Sequence, residues 1–234
     1  MSTGRGFPPK PEFKKERPQE PKADNALWRL AEWFPDLPSA KMEQLKIFHG
    51  ELLKFNSRVN LISKSTEREA DELHFADCLL ASELILPVNL PSRIFDIGSG
   101  NGFPGLLFGI LDTDREFLLV ESDQRKSEFL KHCISVLKLK NVSVLNMRFE
   151  NLSQMSVEAV MARGFASIAK ALLGFNKIFD VGGQFIHLKG NNWSTEIANL
   201  PSQLISVWQP ELLGEYFLPV SQARRAVVIT QKIQ

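Results

Sequence analysis

The chain has few cysteines and no long apolar run, and these absences limit the kind of protein it can be. Only two cysteines, Cys78 and Cys133, occur in 234 residues, and neither lies in a metal-ligand motif. We therefore expect two buried, reduced thiols and no metal site. No segment reaches the roughly 18 apolar residues of a membrane span, and the N-terminus has no apolar signal sequence. We expect a cytoplasmic protein without a membrane partner.

An excess of charge of one sign is also absent. The formal net charge is only +1, and the first 24 residues hold six Lys/Arg against four Asp/Glu. The rest of the chain is therefore close to neutral. Bulk charge gives no indication of a nucleic-acid partner, so a surface for one has to be a local patch.

The chain divides into three regions of different pattern. Residues 1–24 hold five prolines and little apolar periodicity, which predicts a disordered tail. Residues 25–87 predict an N-terminal helical region. Its third helix is expected over Ala70–Ile85 and carries His74 and Asp77 on one face, where a satisfied surface or interhelical pair is the simplest interpretation. Residues 88–234 form the last region, in which strand-like and helix-like segments alternate.

The most informative segment is Arg93–Gly105, which reads RIFDIGSGNGFPG. An apolar run ends in a turn with three alternate glycines, Gly98, Gly100 and Gly102, and a helix follows. Glycines allow positive φ angles and close approach of a ligand to the main chain, and a helix N-terminus offers free N–H groups. Glu121 ends the next strand, where an acid can accept hydrogen bonds from ribose hydroxyls. This pattern predicts a nucleoside-binding α/β domain.

The glycine spacing bears on which nucleoside is bound. The dinucleotide fingerprint is G-x-G-x-x-G, but Phe103 fills its third glycine position here. Asp96, just before the first glycine, is typical of sites for S-adenosylmethionine (SAM), where an acid can meet the ligand's amino group. SAM carries an ammonium and a sulfonium and has no pyrophosphate. The segment therefore favours SAM, with a dinucleotide site or a purely structural turn as the alternatives.

Seven strands are expected from residue 93 onwards, joined by crossover helices. The strands are Arg93–Ile97, Glu116–Glu121, Val142–Met147, Ala159–Arg163, Gly183–Leu188, Leu204–Leu212 and Arg225–Lys232. The helices include Pro104–Leu111, Arg125–Leu137 and Ser167–Phe179. This layout predicts an α/β, Rossmann-like, SAM-dependent methyltransferase fold with a seven-stranded, mostly parallel sheet. The N-terminal helical region, residues 25–87, is expected to form a helical cap on it. The ligand is expected at the carboxyl ends of the first strands, at the topological switch point.

Further candidates lie at the ends of the third and fourth strands. Phe149 and Glu150 follow the third strand and are placed to flank an adenine. Arg163 ends the fourth strand and can face the cofactor's carboxylate or the incoming substrate, with a helix-capping or surface arginine as the alternative. Six basic residues are candidates for substrate contact: Arg125, Lys126, Arg148, Lys189, Arg224 and Arg225.

Two kinds of methyl-transfer chemistry lack their usual residues. The fourth strand is followed by Ala-Arg-Gly-Phe rather than the N/D-P-P-Y/F/W loop that holds an exocyclic amine, and neither cysteine follows a proline, as a pyrimidine C5 nucleophile would. A nucleophile that needs no activation remains. The lone pair of guanine N7 fits, because it is unprotonated at neutral pH and needs only alignment. Oxygen and small-molecule acceptors stay open.

Together these residues resemble the RsmG (GidB) family of bacterial methyltransferases, which methylate guanine N7 in a loop of small-subunit (16S) ribosomal RNA. The resemblance covers most of residues 40–232. Its motifs are Asn60-Leu61 with His74 and Asp77, DIGSGNGFPGL, the segment Glu121–Leu130, Phe149-Glu150, ARGFAS at Ala162–Ser167, and His187-Leu188-Lys189-Gly190.

The resemblance implies SAM as the cofactor, ribosomal RNA as the substrate and a set of cofactor contacts. The implied contacts are Gly98, Phe103, Phe149, Glu150 and Arg163, with Glu121 in the ribose position. Two residues depart from the family pattern, since Glu121 replaces an expected aspartate and Asn101 fills a slot that is often alanine or proline. A monomer is expected. The rival functions are a small-molecule methyltransferase with the helical region as a lid, and a non-catalytic SAM-binding module.

Overall fold

The structure, a computed structural model, describes residues 26–234. The predicted tail, residues 1–24, lies outside the described residues. Eight α-helices are present in the described part: α1 Leu30–Trp33, α2 Ser39–Val59, α3 Asp77–Ile85, α4 Gly105–Leu111, α5 Gln124–Leu137, α6 Ile168–Phe175, α7 Trp193–Ala198 and α8 Ser202–Ile205. A π-helical segment, Asp71–Ala76, runs directly into α3, so the helix expected over Ala70–Ile85 is confirmed. None of the helices in residues 26–234 is long and apolar enough to cross a membrane.

One sheet organises the molecule. Its strands are β1 Arg93–Ile97, β2 Glu116–Val120, β3 Val142–Leu145, β4 Ala159–Arg163, β5 Gln184–Lys189, β6 Trp208–Phe217 and β7 Arg224–Lys232. The strand order is β3-β2-β1-β4-β5-β7-β6, and only β7 pairs antiparallel with its two neighbours. The predicted seven-stranded, mostly parallel sheet is confirmed. The order reverses between β1 and β4, which makes the carboxyl ends of these strands the switch point.

Both faces of the sheet are covered, which explains the nearly continuous apolar strands. Successive residues of a strand face opposite sides, so Ile94 packs into a core on the side of α2 to α5, while Phe95 packs into a second core with α6. Two side chains of α2 hold this helix against the first core. Lys41 donates a hydrogen bond to the carbonyl oxygen of Leu111, and Gln44 Nε2 donates one to the carbonyl oxygen of Leu137. The helical cap and the sheet thus share one core.

The segment before α3 also binds the far end of the chain. Glu72 is buried, and its Oε1 accepts hydrogen bonds from Val220 N (3.0 Å), Ser221 N (2.6 Å) and Ser221 Oγ (2.8 Å). These donors lie in the connection between β6 and β7. One carboxylate therefore fastens the C-terminal hairpin to the cap.

Two predicted elements differ from the structure by more than two residues at an end, and the other bounds agree within two residues. The strand expected over Leu204–Leu212 is wrong at its start, because Ser202–Ile205 form α8 and β6 begins only at Trp208. Pro201 begins this helical turn, since its carbonyl oxygen accepts from Leu204 N at 2.8 Å.

The helix expected over Ser167–Phe179 is shorter than predicted. Ser167 is its N-cap, and α6 ends at Phe175. Phe179 lies beyond that end and packs against Phe185 and Trp208 in the second core.

Candidate functional site

The glycine turn after β1 has the backbone conformation that its sequence requires. Gly98, Gly100 and Gly102 all have positive φ, at 68°, 49° and 92°. Gly98 N and Ser99 N donate to the carbonyl oxygen of Val120 at 2.9 and 3.2 Å, which ties the turn to the end of β2. Gly98 itself is exposed. At Gly98 the turn therefore exposes main chain that no side chain covers, at the carboxyl edge of the sheet.

Glu121 is held against this turn by two backbone amides. Its Oε2 accepts from Gly100 N at 2.9 Å, and its Oε1 accepts from Asp123 N at 2.7 Å. Asn146 Nδ2 donates to the Glu121 carbonyl oxygen at 2.8 Å and fixes the main chain as well. Each carboxylate oxygen has a second lone pair. The side chain is thus fixed in place and can still accept further hydrogen bonds.

A cavity of about 220 Å³ lies beside Glu121, at the switch point. Five predicted site residues line it: Gly98, Glu121, Arg148, Phe149 and Glu150. Sequence reasoning did not name the other lining residues, Val120, Ser122, Met147 and Phe165, as contacts. The sequence does carry a signal for Phe165 as a lining residue, because it lies only two residues after the end of β4.

Aromatic packing shapes one wall of this cavity. The Phe149 ring stacks on Phe175, with centroids 5.0 Å apart, and meets Phe165 edge-on at 5.3 Å. Phe175 is fully buried in the second core, so the wall has a rigid support.

A larger cavity, of about 420 Å³, opens at the opposite edge of the sheet. Its lining includes Arg93, Asp114, Glu116 and Glu158, at or before the amino ends of the strands. Ligands of open parallel sheets bind at the carboxyl ends. The glycine turn and Glu121 are also at the carboxyl edge. We therefore assign the site to the smaller cavity.

Asp96 lies next to the glycine turn in the chain but is not one of the cavity's lining residues. It is buried, and its Oδ2 accepts from Gly105 N at 3.0 Å, so it holds the start of α4. Burial raises its pKa to about 7. Within residues 26–234, its Oδ1 is buried without a hydrogen-bond partner. An unpartnered carboxylate oxygen fits an ammonium group such as that of SAM.

The raised pKa of Asp96 predicts a pH dependence of stability. In the folded protein the carboxyl keeps its proton to about pH 7, whereas in the unfolded chain it ionises near pH 4. Its contribution to stability is therefore fully present below about pH 4 and is lost as the pH rises to about 7. Asp96→Asn does not titrate. We expect the free energy of unfolding of the wild type, relative to Asp96→Asn, to fall over this range in urea titrations; a flat or rising difference would contradict the burial argument.

Phe103 is a core residue. Its ring is 2% exposed, stacks on Phe48 with centroids 5.0 Å apart and meets Phe75 edge-on at 4.8 Å. Phe103 is not among the lining residues of the smaller cavity, so its predicted cofactor contact would have to be made by its main chain and stays a prediction. The helical cap supplies both partner rings, which the sequence did not indicate.

Arg163 ends β4 and turns towards the cap. Its Nη1 donates to the Leu73 carbonyl oxygen at 3.2 Å and to Asp77 Oδ2 at 3.0 Å, and its Nη2 donates to His74 Nδ1 at 3.0 Å. The guanidinium also lies over the Phe103 ring, 5.3 Å from its centroid. The Arg163 side chain is only 17% exposed and is engaged by groups of the cap. Its contact with a cofactor or substrate stays a prediction. The simple pair expected for His74 and Asp77 is instead a shared contact with Arg163.

The six basic candidates all lie at the carboxyl edge of the sheet, in two groups. Arg148 lines the cavity, and Arg125 and Lys126 begin α5, where Asp123 Oδ1 accepts from their main-chain N–H groups. The second group is engaged within the protein. The nearest carboxylates of Lys189, Arg224 and Arg225 are Glu196 (2.8 Å), Glu215 (2.6 Å) and Asp77 (3.6 Å). Contact of any of the six with RNA stays a prediction.

Neither cysteine is placed for chemistry. Cys78 and Cys133 are buried and unbridged, and burial raises the pKa of both thiols. In the described part of the chain, no group of three or more His, Cys, Asp or Glu could hold a metal ion. The candidate site at the cavity therefore consists of Gly98 of the glycine turn, Glu121 and the aromatic wall. Asp96 and Arg163 do not line this cavity, and their contacts with a cofactor stay predictions.

Comparison with known structures bears on the fold alone. A putative O-methyltransferase from Klebsiella pneumoniae is 11% identical, with a TM-score of 0.57 over 88% of this chain and 97% of that one. A mutant of MtNAS in complex with SAM is 15% identical, with a TM-score of 0.56 over 87% of this chain and 82% of that one.

Comparison of sequences is more specific. The model of the GidB family, described as rRNA small subunit methyltransferase G, matches residues 41–213. Ribosomal RNA small subunit methyltransferase G 3 of Bdellovibrio bacteriovorus is 48% identical over 217 residues, covering 92% of this chain and 98% of that protein. Ribosomal RNA small subunit methyltransferase G of Roseiflexus castenholzii is 34% identical over 203 residues, covering 82% and 86%. The chain thus belongs to the GidB family, the rRNA small subunit methyltransferase G family, and is a SAM-dependent methyltransferase.

Proposed function

We propose that this enzyme methylates guanine N7 in a loop of small-subunit (16S) ribosomal RNA and that it binds SAM at the carboxyl ends of β1 to β4. The observation that carries the proposal is the position of Glu121. Its carboxylate lines the cavity and is fixed by Gly100 N and Asp123 N. An acceptor fixed at this place suits the two hydroxyls of a ribose.

The remaining cofactor contacts are assigned by charge. Asp96 Oδ1 has no partner in residues 26–234 and suits the ammonium group. Arg163 suits the carboxylate, because a guanidinium binds carboxylates through paired N–H bonds. Gly98, Phe149 and Glu150 surround the adenosine part, and Gly100 and Phe103 contribute main-chain atoms. We infer that residues 25–87 form a helical region that caps a methyltransferase domain over residues 88–234, with residues 1–24 as a tail.

Methyl transfer to guanine N7 requires the protein mainly to align the methyl donor with the base. The sulfonium of SAM supplies an activated methyl group when it is bound. Guanine N7 is already a free lone pair, so no side chain has to remove a proton. The protein's contribution is to hold the cofactor, orient the base and exclude water. The buried thiols of Cys78 and Cys133 are poor nucleophiles because their pKa values are raised, which suits a direct transfer.

The RNA is proposed to approach along the carboxyl edge of the sheet. Arg148 lines the cavity, and both Arg148 and Arg125 are exposed. The same edge of the sheet carries four further basic residues: Lys126, Lys189, Arg224 and Arg225. A ribosomal substrate places the enzyme in the cytoplasm. A monomer is proposed as the oligomeric state.

Glu121→Gln tests the ribose assignment. The amide group of glutamine brings N–H donors towards the amides of Gly100 and Asp123, so at least one present hydrogen bond is lost along with the charge. We expect SAM affinity to fall by about tenfold, the value of one charge-assisted hydrogen bond. Isothermal titration measures this change. Unchanged affinity would remove Glu121 from the cofactor site.

The decisive experiment for the function is methyl transfer to defined substrates. Labelled SAM is incubated with ribosomal RNA from a strain that lacks the enzyme, and the modified base is mapped. We expect label in small-subunit RNA at N7 of one guanine. Label in small molecules alone would favour the small-molecule methyltransferase, and SAM binding without any transfer would favour the non-catalytic module.

A further inference from the structure

We propose that Asp77, together with His74, positions Arg163 to bind the carboxylate of SAM. Both residues come from the helical cap, whereas Arg163 ends a strand of the sheet. The inference rests on the cofactor assignment made above for Arg163. It goes further by giving the cap a role in cofactor binding.

The first argument is the number of free N–H bonds on Arg163. Three acceptors within residues 73–77 take three of its five N–H bonds: the carbonyl oxygen of Leu73, Nδ1 of His74 and Oδ2 of Asp77. In residues 26–234 no acceptor is found for the other two, which are Nε–H and one N–H of Nη2. A carboxylate can accept both of them. The cap therefore holds one part of the guanidinium and leaves the part that a carboxylate can use.

The second argument is the protonation state of His74. A guanidinium can only donate, so Nδ1 of His74 accepts and the ring proton lies on Nε2. Burial and the charge of Arg163 lower the pKa of His74 to about 3. The ring is therefore neutral at ordinary pH and does not repel Arg163. It also stacks on Phe103, with centroids 5.5 Å apart, which limits its rotation.

The third argument is that Asp77 is itself fixed from the C-terminal hairpin. Its Oδ1 accepts from the Tyr216 hydroxyl at 2.8 Å, and Arg225 Nε lies 3.6 Å from the same oxygen. The other oxygen is left for Arg163. A carboxylate held in this way cannot rotate, so it sets the direction of the guanidinium as well as compensating its charge.

A purely structural role of Asp77 makes a different prediction. Arg163 is only 17% exposed, and a buried arginine needs a counterion for stability alone. A counterion of that kind affects unfolding. It does not affect the affinity of the folded enzyme for SAM, which a positioning residue does.

The test uses the whole chain and the variants Asp77→Asn, Arg163→Ala, the double variant and Asp71→Asn. SAM affinity is measured by isothermal titration, stability by thermal unfolding, and KM for SAM and kcat with small-subunit RNA. We expect Asp77→Asn to weaken SAM binding about tenfold or more and to raise KM for SAM more than it lowers kcat. Because Asp77 acts through Arg163, the double variant should bind SAM no more weakly than Arg163→Ala.

Asp71→Asn is the matched control. Asp71 is a buried carboxylate of the same cap that pairs with Arg29 at 2.8 Å and is not among the partners of Arg163. We therefore expect lower stability and SAM affinity within about twofold of the wild type. His74→Phe is the second variant, in case Asp77→Asn does not fold. It keeps a ring beside Phe103 but removes the acceptor of Nη2, and we expect weaker SAM binding.

The outcomes separate this proposal from the cofactor assignment. If Arg163→Ala loses affinity while Asp77→Asn or His74→Phe binds SAM like the wild type, the positioning role is overturned and the assignment of Arg163 stands. Additive losses in the double variant, or an equal loss in Asp71→Asn, would also overturn it. If Arg163→Ala itself binds SAM normally, the assignment of Arg163 fails first.

Discussion

Gly98→Asp is expected to reduce SAM affinity by at least about 100-fold. Gly98 lines the cavity beside Glu121, and it has space for a side chain, since a Cβ there meets only Phe165 Cδ2, at 3.6 Å. The new carboxylate would occupy the cavity next to an existing one. It would exclude the ligand by volume and add like charge at the ribose position. Isothermal titration of the folded variant measures the loss.

The control for this prediction must share its backbone strain. Gly98 has a φ of 68°, and Gly182, ahead of β5 at the far edge of the sheet, has a φ of 95° with open space around it. Gly182→Asp should therefore lose a similar stability, on the order of 1 kcal/mol, and keep SAM affinity. If Gly98→Asp binds SAM as the wild type does, the cofactor does not lie over the glycine turn.

Gly105→Ala is expected to destabilise the fold by about 2 kcal/mol, which lowers Tm by about 5 °C. A Cβ at Gly105 would lie 2.5 Å from Leu119 Cδ2 and 2.6 Å from both Cβ and Oδ2 of Asp96. The Cβ of Asp96 cannot move without its strand. The clash also displaces the bond from Gly105 N to Asp96, so SAM affinity should fall with stability.

Gly50→Ala supplies the matched comparison. Gly50 is also helical, within α2, and nothing lies within 4 Å of an added Cβ. This variant should gain about 0.5 to 1 kcal/mol, the helix preference of alanine over glycine. A lower Tm for Gly105→Ala together with a higher Tm for Gly50→Ala would confirm that close packing requires glycine at position 105. A gain in both would show that α4 can move away from Asp96.

The sequence could predict those parts of the fold that depend on local pattern. The sequence predicts β1 and β4 correctly at both ends, because each is a short, mostly apolar segment followed by a glycine turn. The segment Leu204–Leu212 failed because Leu204 continues an apolar pattern, although Pro201 starts a helical turn there. Periodicity alone does not distinguish a short buried helix from a strand.

The candidate site also has a part that the sequence predicts and a part that it does not. Strand order brings Gly98, Glu121 and Phe149 to one edge, and the sequence predicted this because the alternation of strands and helices implies it. The ring of Phe103 and the partners of Arg163 depend on how the cap packs on the sheet. Asp77 and Arg163 are 86 residues apart in the chain, and no local pattern records such a contact.

The hydrogen bonds of Glu72 have a consequence for the order of folding during synthesis. A nascent chain that ends before residue 220 contains every cap helix but has none of the three donors that Glu72 uses in the finished protein. Until that point the acid stays in water or is buried at a cost, so the cap cannot settle tightly. Tight packing of the cap therefore waits until Val220 and Ser221 have left the ribosome.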